Sequence, residues 1–280
     1  LDIPSSFLEE YRAWYADRTN VPNKPYSILF STDQNYLDMF YKKMNMSTTH
    51  NISINGSSGK VSYLVSGRYY GQDAIYKLGD ENFNSYNVRS KIKIQATKTL
   101  SFDNNTSYSR NEYKQPIFTK NSSEVGSQLH QIAMAGFPIY PTNNADGTYT
   151  YAGAASGYAS FNDNNSAQEE SRAVFSTSLG LNWEPLKDVL KFRADFSYKN
   201  VNRIVDRYGA PVAYSSLAGA MTDYITKEKS YRQIFTYASD YISANAVATY
   251  TPKLGPNHNL NIVAGWNLEN TVYHRRGVTR

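Results

Sequence analysis

The sequence predicts an all-β fold, an antiparallel up-and-down transmembrane β-barrel wall with short turns at one rim and long loops at the other. Three observations predict it. Long segments alternate apolar and polar residues with a period of two. These segments are far longer than the roughly 5–6 residues usual for strands in globular sheets, and their polar faces carry Lys, Arg and Asp at mid-strand. The connections between them are short and long in strict alternation. In a meander, alternate connections lie at the same end, so all short turns share one rim and all long loops the other, as in outer-membrane barrels. Long loops are uncommon in compact soluble domains.

Before the first strand, residues 1–47 read as a loop region with short helices. Ser6–Glu9 forms a capping-box pattern ahead of a helix over Phe7–Asp17. Asp33 is placed to cap Gln34–Met44. Eight strands follow over residues 48–275: Thr48–Ser57, Lys60–Ala74, Asn82–Thr97, Thr99–Tyr113, Gln168–Glu184, Val189–Val205, Tyr231–Thr251 and Asn259–Tyr273. In the second, Val61, Tyr63, Val65 and Tyr69 alternate with Ser62, Leu64, Ser66 and Arg68. In the sixth, Leu190, Phe192, Ala194, Phe196 and Tyr198 alternate with Lys191, Arg193, Asp195, Ser197 and Lys199. One such strand does not say whether its apolar face meets a protein core or lipid.

The long loops cover residues 114–167 and 206–230. Ser122 or Ser123 is placed to cap a helix over Glu124–Met134, with Gly136 as its stop. Asn143–Asn165 is rich in Asn, Asp, Gly, Ser and Tyr, with Asp146-Gly147 as a turn. Its aromatic residues fit two readings, local packing or a surface that stacks on a ligand or docks a partner.

Composition narrows the function classes. Of 280 residues, 25 are Tyr, 12 Phe and 3 Trp, and Tyr suits boundaries where one end of the side chain is wet. There is no Cys, hence no disulfide, thiolate metal site or cysteine nucleophile in these residues. The net charge of +5 is dispersed, which does not point to nucleic acid. His50, His130, His258 and His274 have no metal-ligand spacing. No nucleophile elbow or phosphate-binding loop is present. Asn144–Gly147 has a faint calcium-loop look, but Thr142 and Gly153 stand where ligands belong. No catalytic residues, metal or cofactor are expected.

Several segments also resemble a known family. His50–Gly56, followed by Tyr63–Gly67 and Tyr69, is similar to a strand pair of SusC/RagA-type TonB-dependent outer-membrane transporters of Bacteroidota. Asn84–Ser90, the hairpin beginning Leu179–Leu186, and His258–Asn261 with Ala264-Gly265 resemble later pieces of the same family in the same order. The likeness runs from about Thr48 to Tyr273. The family barrel has more than eight strands, and its plug domain and TonB box are not visible here, so the expected piece is a middle portion, part of a larger barrel.

The resemblance implies active import across the outer membrane, with long loops extracellular. It implies a SusD-like surface lipoprotein as lid, the TonB complex as energy source, and oligosaccharides or peptides as substrate. On this reading Val61, Tyr63, Val65, Tyr69, Ile92, Ile94, Phe175, Leu179, Leu181, Phe192, Phe196, Leu260, Ile262 and Trp266 face lipid. Arg68, Arg89, Lys91, Lys93, Lys191, Arg193 and Asp195 face the lumen. Tyr149, Tyr151, Tyr158, Phe161, Tyr208 and Tyr214 are the expected ligand or lid contacts. Two alternatives stay open, a self-contained eight-stranded barrel with a structural or adhesive role, and a soluble β-rich carbohydrate-binding or hydrolytic domain.

Overall fold

The computed structural model describes residues 33–117, 138, 140–225, 230–255 and 257–280, together with Glu9, Arg12, Ala13 and Ala16. The helix expected over Glu124–Met134 lies outside the described residues, as does most of that over Phe7–Asp17. The described elements are α1 (Tyr36–Phe40), β1 (Ser47–Ser58), β2 (Val61–Asp73), β3 (Asn82–Gln95), β4 (Leu100–Pro116), α2 (Tyr151–Ala155), α3 (Tyr158–Asp163), β5 (Ala167–Leu186), β6 (Leu190–Gly209), β7 (Ala213–Ser215), β8 (Thr222–Tyr224), β9 (Tyr231–Tyr250) and β10 (Ile262–Thr279).

Eight strands form one antiparallel sheet in the order β1-β2-β3-β4-β5-β6-β9-β10. After β1, each strand of this sheet pairs with the sheet's own preceding strand, β9 with β6 across the β7–β8 excursion, so the sheet is an up-and-down meander. β7 and β8 form a separate two-stranded hairpin inside a long loop, which the sequence pattern did not reveal. β4 runs to Pro116 and β6 to Gly209, so the long loops begin a few residues later than expected. α1 also differs from expectation: it is one turn long, and its cap is Asn35, whose side chain accepts from the Asp38 amide, rather than Asp33.

Backbone chemistry sets the short rim. Gly59 takes a left-handed φ of 51° between β1 and β2, a conformation open to glycine without steric cost. Asp188 makes the corresponding move between β5 and β6 at φ 61°, and its amide donates to Glu184 Oε1 at 2.7 Å. The β5–β6 register shifts between Trp183 and Leu186, beside this turn.

The register sorts the side chains. Residues directly opposite in an antiparallel pair share a face. Tyr63, Ile92, Asn104, Leu179, Phe196, Ala244 and Leu268 therefore lie in one row on one face, from β2 to β10. Ser62, Lys93, Asp103, Gly180, Asp195, Asn245 and Asn267 lie in the neighbouring row on the other. We call these the apolar and polar faces. The mostly apolar band of that face spans about nine residues of a strand, five of them on the face, as in Leu190–Tyr198 of β6 and Ile242–Tyr250 of β9. A tilted strand needs roughly 9–11 residues to cross a bilayer. Towards the long loops the same face turns charged: Arg110 pairs with Glu112 at 2.7 Å, Lys114 with Glu169 at 3.6 Å and Arg232 with Asp206 at 2.6 Å.

Polar residues inside the apolar band satisfy one another. Thr106 and Thr177 hydroxyls lie 2.8 Å apart, and Thr106 Oγ1 donates to Asn104 Oδ1 at 3.1 Å. Asn104 Nδ2 donates to Thr177 Oγ1 and the Ser178 carbonyl. Groups without water must be paired internally.

The apolar face has no protein layer over it among the described residues. Leu179 is 53% exposed and Trp266 58%. The buried core lies elsewhere, in the loops: Tyr36, Phe40, Tyr76, Ala154, Ala159, Phe161 and Val212 pack together. β1 and β10 stand at opposite edges of the sheet and do not pair. This removes the self-contained eight-stranded barrel, which needs that closing pair.

Candidate functional site: the loop layer and the polar wall

The loops at the long rim knit into one layer. The Tyr36 hydroxyl donates to the Tyr140 carbonyl at 2.9 Å, and Lys77 N donates to the Phe40 carbonyl at 2.8 Å. Asn144 Nδ2 donates to the Ser215 carbonyl at 3.0 Å, and Ser215 N donates to the Tyr149 carbonyl at 2.8 Å. Gly219 N donates to Asp146 Oδ2 at 2.8 Å, and Asn164 Nδ2 donates to Asp80 Oδ2 at 3.0 Å. Four chain segments distant in sequence are thus cross-linked.

Local chemistry builds the helices of this layer. The Thr150 hydroxyl caps α2 by accepting from Gly153 N at 3.0 Å. A Cβ on Gly153 would meet the Thr142 carbonyl oxygen at 2.1 Å, so only glycine allows this approach. Phe161 on α3 then packs edge-on against Phe40 (5.4 Å) and Tyr76 (5.2 Å).

Of the six aromatic residues expected at a ligand or lid, four gather. Tyr151 and Tyr214 meet edge to face at 5.3 Å, and Tyr149 and Tyr158 at 6.1 Å. Tyr151 is 53% exposed. The Tyr149 hydroxyl donates to Asp163 and accepts from Asn162 Nδ2 at 2.8 Å. Tyr214 donates to Asp223 Oδ2 at 3.1 Å. The other two are placed differently. Phe161 is 1% exposed; it is the centre of the loop core, and its ring is closed to a ligand. Tyr208 stands in β6 opposite Ala167 and Arg232, on the apolar face, away from the four.

Electrostatics in the layer follow burial and hydrogen bonding. Burial, then the bond to Asp163, pushes the Tyr149 hydroxyl up to about 12. Burial raises Tyr36 and Tyr76 as well. The Thr148 hydroxyl, then the Gly219 and Thr148 amides, hold the Asp146 carboxyl below its ordinary range.

Arg68, Arg89, Lys91, Lys93, Lys191, Arg193 and Asp195 all lie on the polar face by register. Arg193 grips Asp195 with both Nε (2.8 Å) and Nη2 (2.9 Å). Val61, Tyr63, Val65, Tyr69, Ile92, Ile94, Phe175, Leu179, Leu181, Phe192, Phe196, Ile262 and Trp266 all lie on the apolar face. Leu260 precedes β10, in the 251–261 connection. Two cavities of about 760 and 600 Å³ open on the sheet. The larger is lined mainly from the polar face, by Asn55, Leu64, Lys91, Lys93, Asp103 and Asn105. The smaller is lined mainly by apolar-face residues, including Phe102, Leu181 and Trp266.

Sequence reasoning missed two groups. Tyr36, Phe40 and Tyr76 are loop-core residues whose partners lie far along the chain. Arg172, Arg203, Arg207 and Arg275 join the polar face nearer the long loops. In β6, odd numbering alone places Arg203 and Arg207 with Lys191 and Arg193; for Arg172 and Arg275 the cross-strand register was needed. Among the described residues no three His, Cys, Asp or Glu are grouped to hold a metal. No helix among them is long and apolar enough to cross a membrane.

No protein-family model matches the sequence, and no curated protein matches it. Solved structures do match by fold. A chain of the RagAB peptide importer in its closed-closed state superposes with a TM-score of 0.65 at 17% identity, covering 88% of this chain. A chain of the RagAB peptide transporter gives 0.66 at 15% over 97%, and the open-open state of the importer gives 0.65 at 15% over 100%. This chain spans only 26%, 29% and 30% of those three chains. The fold is that of part of those RagAB chains.

Proposed function

We propose that this chain forms barrel wall and outer loops of a TonB-dependent outer-membrane importer of the SusC/RagA type. The observation that carries the reading is the register. Eight strands in chain order gather one continuous apolar face and one charged face, and that sheet has the fold of part of the RagAB chains. The apolar face is the lipid face and the polar face lines the lumen. Further strands complete the sheet at β1 and β10, because an open sheet edge is not stable in lipid. A soluble domain is disfavoured, since an uncovered apolar face of this extent aggregates in water.

The long rim faces outwards. There Tyr149, Tyr151, Tyr158 and Tyr214 contact substrate or a SusD-like lipoprotein lid, and Phe161 holds the layer beneath them. Substrate, peptide or oligosaccharide, is caught between lid and loops. The TonB complex drives its passage along the polar wall. Nothing in this chain is given an enzymatic role.

The test uses the full-length protein in its own cells. It is expected in the outer-membrane fraction, to co-purify with a surface lipoprotein, and to support uptake of labelled oligopeptides or oligosaccharides that stops when TonB is removed. Recovery in the soluble fraction, or uptake of every such compound unchanged after deletion of its gene, would sink the reading.

A further inference from the structure

One row of the polar face near the long loops has a chemistry of its own. Arg172 (β5), Arg203 (β6), Tyr237 (β9) and Arg275 (β10) stand directly opposite one another across four adjacent strands. The guanidinium carbons of Arg203 and Arg275 each lie 5.5 Å from the Tyr237 ring centre, reaching it from the strands on either side. Arg275 also lies 5.9 Å from the Phe235 ring. Cation–π contact orients a guanidinium and leaves its N–H edge available.

The charge of the row is not balanced among the described residues. Arg203 holds Glu170 through both Nε and Nη2, at 2.6 and 2.7 Å. Among the described residues, Arg172 and Arg275 have no carboxylate within ion-pairing distance. Arg207, further towards the loops on the same face, bonds a neutral partner, Gln168 Oε1, at 2.6 Å. Among the described residues, four arginines therefore face one glutamate. A wall with uncompensated guanidinium groups and low-dielectric flanks focuses a positive potential, and the arginine fork matches a carboxylate in two-toothed geometry.

We infer that the Arg172–Arg203–Tyr237–Arg275 row is a recognition surface for carboxylate groups of an acidic substrate, just below the loop layer. This rests on the proposed lumenal position of the polar face. The carboxylates can come from acidic peptide side chains or from uronic acids of an oligosaccharide.

The test measures anisotropy of fluorescein-labelled hexaglutamate with the purified full-length protein in detergent, with hexaglutamine as the neutral control. Wild type is expected to prefer hexaglutamate by about tenfold or more, with the preference shrinking as salt rises. The double variant Arg172→Gln/Arg275→Gln breaks no ion pair among the described residues and is expected to lose most of that preference, roughly tenfold. Arg110→Gln and Arg276→Gln, on the apolar face, are expected to leave it intact. Competition by hexagalacturonate assigns the site to carboxylates of either source; competition by unlabelled hexaglutamate alone assigns it to peptides. Equal binding of both labelled peptides, or of neither, overturns the inference. So does a double variant that keeps the preference, or an apolar-face variant that loses as much. Failure of the underlying barrel reading is separately visible, as loss of the odd–even thiol-labelling pattern described below; failure of this inference leaves that pattern intact.

Discussion

Phe161 shows how a single aromatic residue changes role between sequence and fold. It sits in a run of exposed-looking Tyr, Asn and Asp, yet it is 1% exposed and touches Phe40 and Tyr76. Nothing in the local pattern separates it from Tyr158, because its partners come from segments about 80 to 120 positions away. Phe161→Ala is expected to cost about 3–5 kcal/mol of loop-layer stability. The sheet is expected to persist while the loops become sensitive to added protease on intact cells; unchanged sensitivity would count against the shared loop core. Tyr149 gives a pH test in the same layer. Its hydroxyl rises from 10.0 to about 12 because burial and Asp163 favour the neutral form. An unfolded loop ionises first, so this contribution is full below about pH 10 and is lost as pH climbs through about 12. Loop protease sensitivity is therefore expected to rise over that window, and to rise less in Tyr149→Phe.

At the scale of the element, the alternation within each strand was legible because side chains on one strand have a period of two. The eight expected strands match the eight of the main sheet within a few residues, except that β10 begins at Ile262 and reaches Thr279. Loops were less legible. The hairpin β7–β8 is three residues on each side, too short for a period to register, and α1 depends on tertiary contacts more than on its cap. The arginine row depended on cross-strand register, which no single strand carries. The two faces make a paired prediction. Ala244→Arg places a cation in the middle of the apolar band and is expected to cost ~2–4 kcal/mol in a membrane. Ser197→Arg, one row away on the polar face, is expected to cost little. Outer-membrane yield and resistance to unfolding in detergent measure both; equal effects would mean that the faces do not differ in surroundings.

For the whole molecule, the central claim is that one face of this sheet meets lipid and the other an aqueous lumen. Fold similarity at 15–17% identity supports the architecture, while the two-sided chemistry comes from this chain's own register. None of these 280 residues is Cys, so single cysteines can be introduced here without first removing any. The direct measurement is a scan of β6 from Lys191 to Lys199 in the full-length protein in membranes, reading labelling by a charged, membrane-impermeant thiol reagent. The account predicts labelling at 191, 193, 195, 197 and 199, and protection at 192, 194, 196 and 198. Labelling at every position, or protection without an odd–even period, would contradict it.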